Sequence, residues 1–323
     1  MGVSRLLQRW FYIIPMKEFG TNIVNLAYQK IKKQKHNMEH KQLKRIEDYD
    51  KNLPIVEIYT AVQSEGSRAG YPTVVIRTTG CTHRCFFGEG GWCDSWYTSI
   101  HPEKGQFNFN DIKEAYAKNP HIKEMMLTGG SPTMHPALVN ELTHFASEND
   151  IYITIETEGS HFLTTDYPLN LLSISPKFSN SVPVVGVETP QGKVTDERMV
   201  KQHNKFRLNI DAIADSIVYH NDFHLKPVWD GKDEVALTEI KEFISQLIEK
   251  LQERYYGASA WTEAFTKEQL EGWIKDKVWF MPAGDSRESL FKSYPLVFDW
   301  VRDNGYRMTW RPHIIAFEDQ REV

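Results

Sequence analysis

Between residues 74 and 310 of this 323-residue chain, short apolar, β-rich runs alternate with helical patterns, which narrows the possible folds more than any other feature. The runs are Val74–Thr78, Met125–Leu127, Ile151–Ile155, Leu171–Ile174, Phe223–Val228, Val278–Met281 and Tyr306–Trp310. Leu138, Leu142, Phe145 and Ala146 mark one helix face, and Leu237, Ile240, Phe243, Leu247 and Leu251 mark another at steps of three and four. Such alternation predicts an α/β protein with a parallel sheet and right-handed crossovers, either a complete or partial β/α barrel or a doubly wound sheet. No repeat at solenoid spacing and no low-complexity segment interrupts it. Residues 1–52 stand apart as a basic, helical N-terminal extension, with the tract Lys30 to Lys35 and no glycine or proline between Thr21 and Asn52. Residues 53–323 are expected to form the second domain, the one that carries any catalytic site. A helical insertion at about 255–277 carries a capping box from Thr266 to Gln269.

Polar groups follow these runs in order. Arg77 and a cysteine loop follow the first, Thr128-Gly129-Gly130-Ser131 the second, Glu156 and Gly159 the third, and Ser175 and Lys177 the fourth. Lys226 lies near the end of the fifth, and Arg311 and His313 follow the last. In a barrel the C-terminal strand ends share one face, where such folds carry their active sites, so these groups are expected to converge there.

All three cysteines, Cys81, Cys85 and Cys93, fall in one short segment. A structural metal site is normally closed by four protein ligands, whereas an iron-sulfur cluster held by three thiolates leaves one iron open. A zinc site that borrows His83 is the alternative, with tighter spacing than zinc usually shows. A disulfide pair with a spare thiol would suit a secreted chain, but the count is odd and no export segment precedes it, so a cytoplasmic location is expected. Charged residues at 25% and hydrophobic ones at 41% describe a globular enzyme, and a formal net charge of −5 offers no overall basic field for a nucleic-acid substrate. No apolar run approaches the roughly 20 residues needed to cross a bilayer.

Together, Gln63, Glu65 and Gly66, Gly70 and Pro72, Arg77, Cys81, Cys93-Asp94-Ser95, Thr128-Gly129-Gly130, Glu156-Thr157 with Gly159, Ser175-Pro176-Lys177, and Arg311 with His313 resemble the 7-carboxy-7-deazaguanine synthase family of radical S-adenosylmethionine enzymes. The motifs occur in the family's order over roughly residues 55 to 317. The resemblance implies a partial TIM-type barrel of the radical S-adenosylmethionine type. It implies conversion of 6-carboxy-5,6,7,8-tetrahydropterin to 7-carboxy-7-deazaguanine with loss of ammonia, in the biosynthesis of queuosine and related 7-deazapurines. The radical is carried by the cofactor, so no side chain is expected to be catalytic in itself.

Cys81, Cys85 and Cys93 would hold a 4Fe-4S cluster. Gly129, Gly130, Ser131, Glu156, Ser175 and Lys177 would bind S-adenosylmethionine. Gln63, Glu65, Arg77 and His313 would bind the pterin, and Ser95 would bind Mg2+. Implied partners are the small-molecule pterin, a one-electron reductant such as flavodoxin or ferredoxin, and a second copy in a homodimer. A glycyl-radical activase would not require the pterin-facing set. A zinc-stabilised nucleic-acid-binding protein would leave the ordered strand-end motifs unexplained.

Two departures from the pattern stand out. The spacing is C-x3-C-x7-C, five residues longer than the superfamily's C-x3-C-x2-C, with Gly88, Gly90 and Gly91 to bring Cys93 back. And Ser131 stands where the family often has glutamate, so backbone carbonyls or another acid must take that carboxylate's place.

Overall fold

A computed structural model describes residues 45–256, 267–318 and 320–322. It is a mixed α/β fold built on a parallel sheet. The six-stranded sheet runs in the order β1 (Ile55–Val62), β2 (Pro72–Thr78), β3 (Glu124–Gly129), β4 (Tyr152–Thr157), β5 (Leu171–Ile174) and β6 (Phe223–Leu225). A second sheet holds β7 (Val228–Trp229), β8 (Trp279–Pro282) and β9 (Arg307–Met308). From β2 onward all pairings are parallel, while β1 runs antiparallel to β2. A single parallel bridge between Leu225 and Val278 links the two sheets where Pro227 breaks β6 from β7.

The described helices are α1 (Trp96–Ser99), α2 (Phe109–Lys118), α3 (Pro136–Glu148), α4 (Glu197–Phe206), α5 (Ile210–Tyr219), α6 (Glu234–Tyr256), α7 (Lys267–Lys277), α8 (Arg287–Asn304) and α9 (Pro312–Phe317). Helix α2 begins with a capping box from Asn108 to Asp111, and α8 with one from Ser286 to Ser289. None of the described helices is long and apolar enough to cross a membrane.

Strand register sorts the side chains into rows. Ile58, Ile76, Leu127, Ile155, Leu172 and Phe223 are lateral neighbours across all six strands. The buried members of this row join one core with Leu138, Leu142, Ile213, Leu237, Ile240 and Leu247 of the helices. Side chains alternate faces with period two, so the next row faces the other way. It reads Glu57, Arg77, Thr128, Glu156, Ser173 and His224, one polar residue from each strand.

Each predicted strand run contains an observed strand, but β1 is an addition. It lies at the antiparallel edge, and Glu57 and Thr60 break its apolar run into pairs of residues. Residues 45–52, inside the expected extension, are turns docked on the core. Arg45 and Tyr49 reach Glu141, and the Tyr49 ring stacks on Phe109 with centroids 4.5 Å apart. The rest of that expected helix, residues 1–44, lies outside the described residues, as do residues 257–266, including Thr266 of the capping box. Helix α7 falls within the expected insertion.

Candidate active site at the C-terminal strand ends

The long spacing between Cys85 and Cys93 is taken up by a hairpin. Cys93 N–H donates to the Cys85 carbonyl (3.1 Å), Phe86 pairs with Trp92, and their rings lie 4.9 Å apart. Phe87 N–H donates to the Gly91 carbonyl (2.8 Å) across a tip that Gly88 and Gly91 turn with positive φ. Residues 86 to 92 thus leave and return, and Cys93 comes back beside Cys85. Trp92 Nε1 anchors the hairpin to the Glu188 carbonyl at 3.1 Å.

The Gly129-Gly130 turn holds the approach to Cys81. Gly130 N–H donates to the Thr78 carbonyl (3.0 Å) and Ser131 N–H to the Gly80 carbonyl (2.7 Å). A Cβ on Gly130 would fall on the Gly80 backbone, and Gly129 has φ +112° against Thr78, so both glycines are required by close backbone approach.

The three cysteines are free thiols. Burial pushes Cys85 up to about 12 and Cys93 up to about 11, with Lys177 pulling both the other way, and burial raises Cys81 as well. Left to themselves they are protonated at neutral pH and poor nucleophiles, so they suit a metal that displaces the proton. Among the described residues no three His, Cys, Asp or Glu side chains converge as they would on a single ion. His83 is not drawn into such a group: its Nδ1 lies 3.0 Å from the Thr82 hydroxyl, and its ring packs edge-on against His203.

Behind the thiols the polar row forms a charged floor. Lys226 Nζ donates to Glu65 (2.7 Å) and Glu156 (2.5 Å), and Glu156 accepts from the Thr128 hydroxyl at 2.9 Å. Arg311 pairs with Glu65 at 3.3 Å and with Asp94. Burial raises the Glu65 carboxyl, but Lys226 and Arg311 outweigh it and hold Glu65 well below the usual carboxylate range. His313 stands near Glu65, its Nδ1 buried without a hydrogen-bond partner, and burial lowers its basicity. Arg77 Nε donates to Glu57 (2.8 Å), Nη1 to the Ser95 hydroxyl (2.9 Å) and Nη2 to the Tyr59 hydroxyl (2.8 Å). Ser95 passes its proton toward Asp94 at 3.1 Å. Lys177 Nζ reaches the Ser175 hydroxyl at 2.6 Å.

The structure therefore brings together Glu65, Arg77, Ser95, Glu156, Ser175, Lys177 and His313 around the cysteine loop and the Gly-Gly turn. Gln63 does not join them. Its amide donates to Glu124 (3.4 Å) at the start of β3, because antiparallel β1 ends where the parallel strands begin. Three residues gain roles that motif reading left weak or missed: Lys226 and Arg311 as the bridging cations, and Glu158. Glu158 is a buried carboxylate whose Oε1 accepts from Ser131 Oγ at 2.9 Å. Period-two alternation after Glu156 is the signal that could have found it.

A parallel sheet with three free thiols, a glycine turn and paired charges at its C-terminal strand ends defines an α/β enzyme. No family model matches the chain. It is 30% identical over 272 residues to the 7-carboxy-7-deazaguanine synthase of Rhodopirellula baltica, covering 84% of this chain and 89% of that one. It is 29% identical over 273 residues to the synthase of the same name from Halobacterium salinarum, covering 84% and 93%. The match to the Bacillus subtilis synthase is 26% over 224 residues, 62% of this chain and 85% of that one. The crystal structure of QueE from Escherichia coli superposes with a TM-score of 0.46 and 16% identity over 79% of this chain and 92% of that one. The chain belongs to the 7-carboxy-7-deazaguanine synthase family.

Proposed function

We propose that this enzyme makes 7-carboxy-7-deazaguanine from 6-carboxy-5,6,7,8-tetrahydropterin, with loss of ammonia, by radical S-adenosylmethionine chemistry. The observation that carries the reading is the meeting of three free thiols, Cys85 buried and Cys81 and Cys93 half-buried, with the Gly-Gly turn and a charged floor on one end of the sheet. A four-iron cluster takes each thiolate on a separate iron, so thiols that do not converge on one point still fit it. When bound, the cluster and S-adenosylmethionine would supply a 5'-deoxyadenosyl radical that takes hydrogen from carbon 6 of the pterin.

The chain's own residues would do the rest. Cys81, Cys85 and Cys93 would hold the cluster. Gly129, Gly130, Ser131, Ser175 and Lys177 would hold S-adenosylmethionine, with Glu156 fixed between Thr128 and Lys226 beside it. Glu65, ionised between Lys226 and Arg311, would accept N–H donors of the pterin, and His313 would face the ring from the other side. A guanidinium has five N–H donors and three of Arg77's go to protein, which leaves two for the substrate carboxylate. Ser95 and Asp94 offer the hard oxygens that Mg2+ takes together with substrate oxygens and water. We also propose that the two sheets form one open barrel. The Leu225–Val278 bridge, and the Gly66 N–H that reaches Thr309 Oγ1 at 2.7 Å, support a strand array curled around this site. A flavodoxin- or ferredoxin-like reductant and a homodimeric assembly belong to the same reading.

Anaerobic assay of reconstituted protein with S-adenosylmethionine, reductant, Mg2+ and the carboxytetrahydropterin tests it. Product detected by mass spectrometry, and lost together with bound iron in Cys85→Ala, is the expected result. A protein that binds zinc in place of iron and makes no product would overturn it.

A further inference from the structure

Glu158 is an anion without a cation. It is buried at 6% exposure, and no lysine or arginine pairs with it among the described residues. Its nearest basic groups are His83 and His161, each at 4.0 Å and beyond hydrogen-bond reach. The hydrogen bonds to the carboxylate come from hydroxyls instead. Oε1 accepts from Ser131 at 2.9 Å and from Ser160. Each hydroxyl has one hydrogen, and Ser131 spends its own on Glu158, so Thr133, 3.0 Å away, must donate to Ser131 in turn. Among the described residues Oε2 receives the Thr157 hydroxyl alone, at 3.5 Å, which leaves lone pairs open on that oxygen.

A buried carboxylate so arranged is costly unless a positive partner arrives. That partner must fit between the Gly-Gly turn, which carries Ser131, and the cysteine loop, whose His83 ring lies 4.0 Å from Glu158 and whose Thr82 hydroxyl lies 3.4 Å from the Ser160 hydroxyl. A lone hard cation would want several oxygen ligands, and no such grouping of acids occurs among the described residues. A primary ammonium, with three N–H donors to share between an open carboxylate oxygen and nearby acceptors, suits the site better.

Resting on the cofactor reading above, we propose that Glu158, steered by Ser131, binds the amino group of the methionine part of S-adenosylmethionine. The carboxylate would then come from the end of β4 rather than from the residue after Gly130. Period-two alternation puts residue 158 one step beyond Glu156 toward the strand end, and the shorter Ser131 leaves room for its side chain to reach across.

Equilibrium binding of S-adenosylmethionine and of its desamino analogue to the reconstituted enzyme decides this without turnover. Wild type is expected to prefer the amine, and Glu158→Gln to lose that preference, with affinity for S-adenosylmethionine falling roughly 10- to 100-fold while iron content and thermal unfolding stay unchanged. Wild-type affinity in Glu158→Gln would overturn the assignment and leave the cofactor reading intact. Failure of the wild-type holoenzyme to bind S-adenosylmethionine would overturn both. Should the glutamine variant not fold, the wild type alone suffices, since equal affinity for the two ligands refutes the role.

Discussion

At the scale of single residues the site is governed by shared cations. Lys226 is nearly inaccessible and serves two carboxylates at once, so its removal leaves Glu65 with Arg311 alone and Glu156 with only hydroxyl partners. Breaking a buried pair from one side costs more than the pair contributes, because the orphaned charge stays buried. Lys226→Met is therefore expected to lower unfolding free energy by on the order of 3 kcal/mol in urea titration. Pterin affinity should fall with it, because Glu65 becomes easier to protonate. Much of this constellation was legible beforehand. Arg77, Glu156, Ser175, Lys177 and His313 stand at or just after the ends of predicted strands, whereas Glu65 follows a strand that was not predicted and was reached through the family resemblance alone. Glu158 was legible only in part: alternation after Glu156 points it toward the site, but its role depends on a contact with Ser131, 27 positions away, that no local pattern encodes. The position of Gln63 escaped for the same kind of reason, since it depends on the direction of the strand that precedes it.

Among elements, the Gly-Gly turn and the cysteine hairpin act as a frame. The turn presses directly on the backbone that leads into Cys81, so a methyl group at Gly130 meets main chain rather than a movable side chain. Gly130→Ala is expected to cost roughly 1–3 kcal/mol and to reduce bound iron after reconstitution, measured by urea unfolding and iron analysis. Gly272→Ala, whose added Cβ would meet nothing and whose φ, like that of Gly130, is not positive, serves as the control without the steric clash. The strands from β2 to β8 could be read from apolar runs because their burial favours hydrophobic stretches. Strand β1 could not, since Glu57 and Thr60 break its apolar residues into pairs. The hairpin was also beyond sequence reading: its glycines allowed a return but did not specify the pairing of Phe86 with Trp92.

Over the whole molecule, segments distant in the chain close on one another through ionic contacts. Arg45 donates to Glu141 at 2.6 and 2.9 Å, and Tyr49 adds a third donor at 2.5 Å. Burial raises the Glu141 carboxyl, but the Arg45 and Tyr49 hydrogen bonds outweigh it and bring Glu141 down to about 2. A carboxyl depressed in the folded state contributes its stability fully above its unfolded value of about 4.5 and loses it as pH falls toward 2. Glu141→Gln should therefore be less stable than wild type at pH 7, by about 1–2 kcal/mol because Arg45 is partly exposed, and the gap should narrow between pH 4.5 and 2 in thermal unfolding. The contact between Glu65 and Arg311 spans 246 positions, so during synthesis the two groups cannot meet until residue 311 has left the ribosome. The three thiols emerge far earlier and wait on an unfinished polypeptide. Their survival as free thiols thus depends on the redox state of the surroundings while the chain is still being made, before the fold can shelter them.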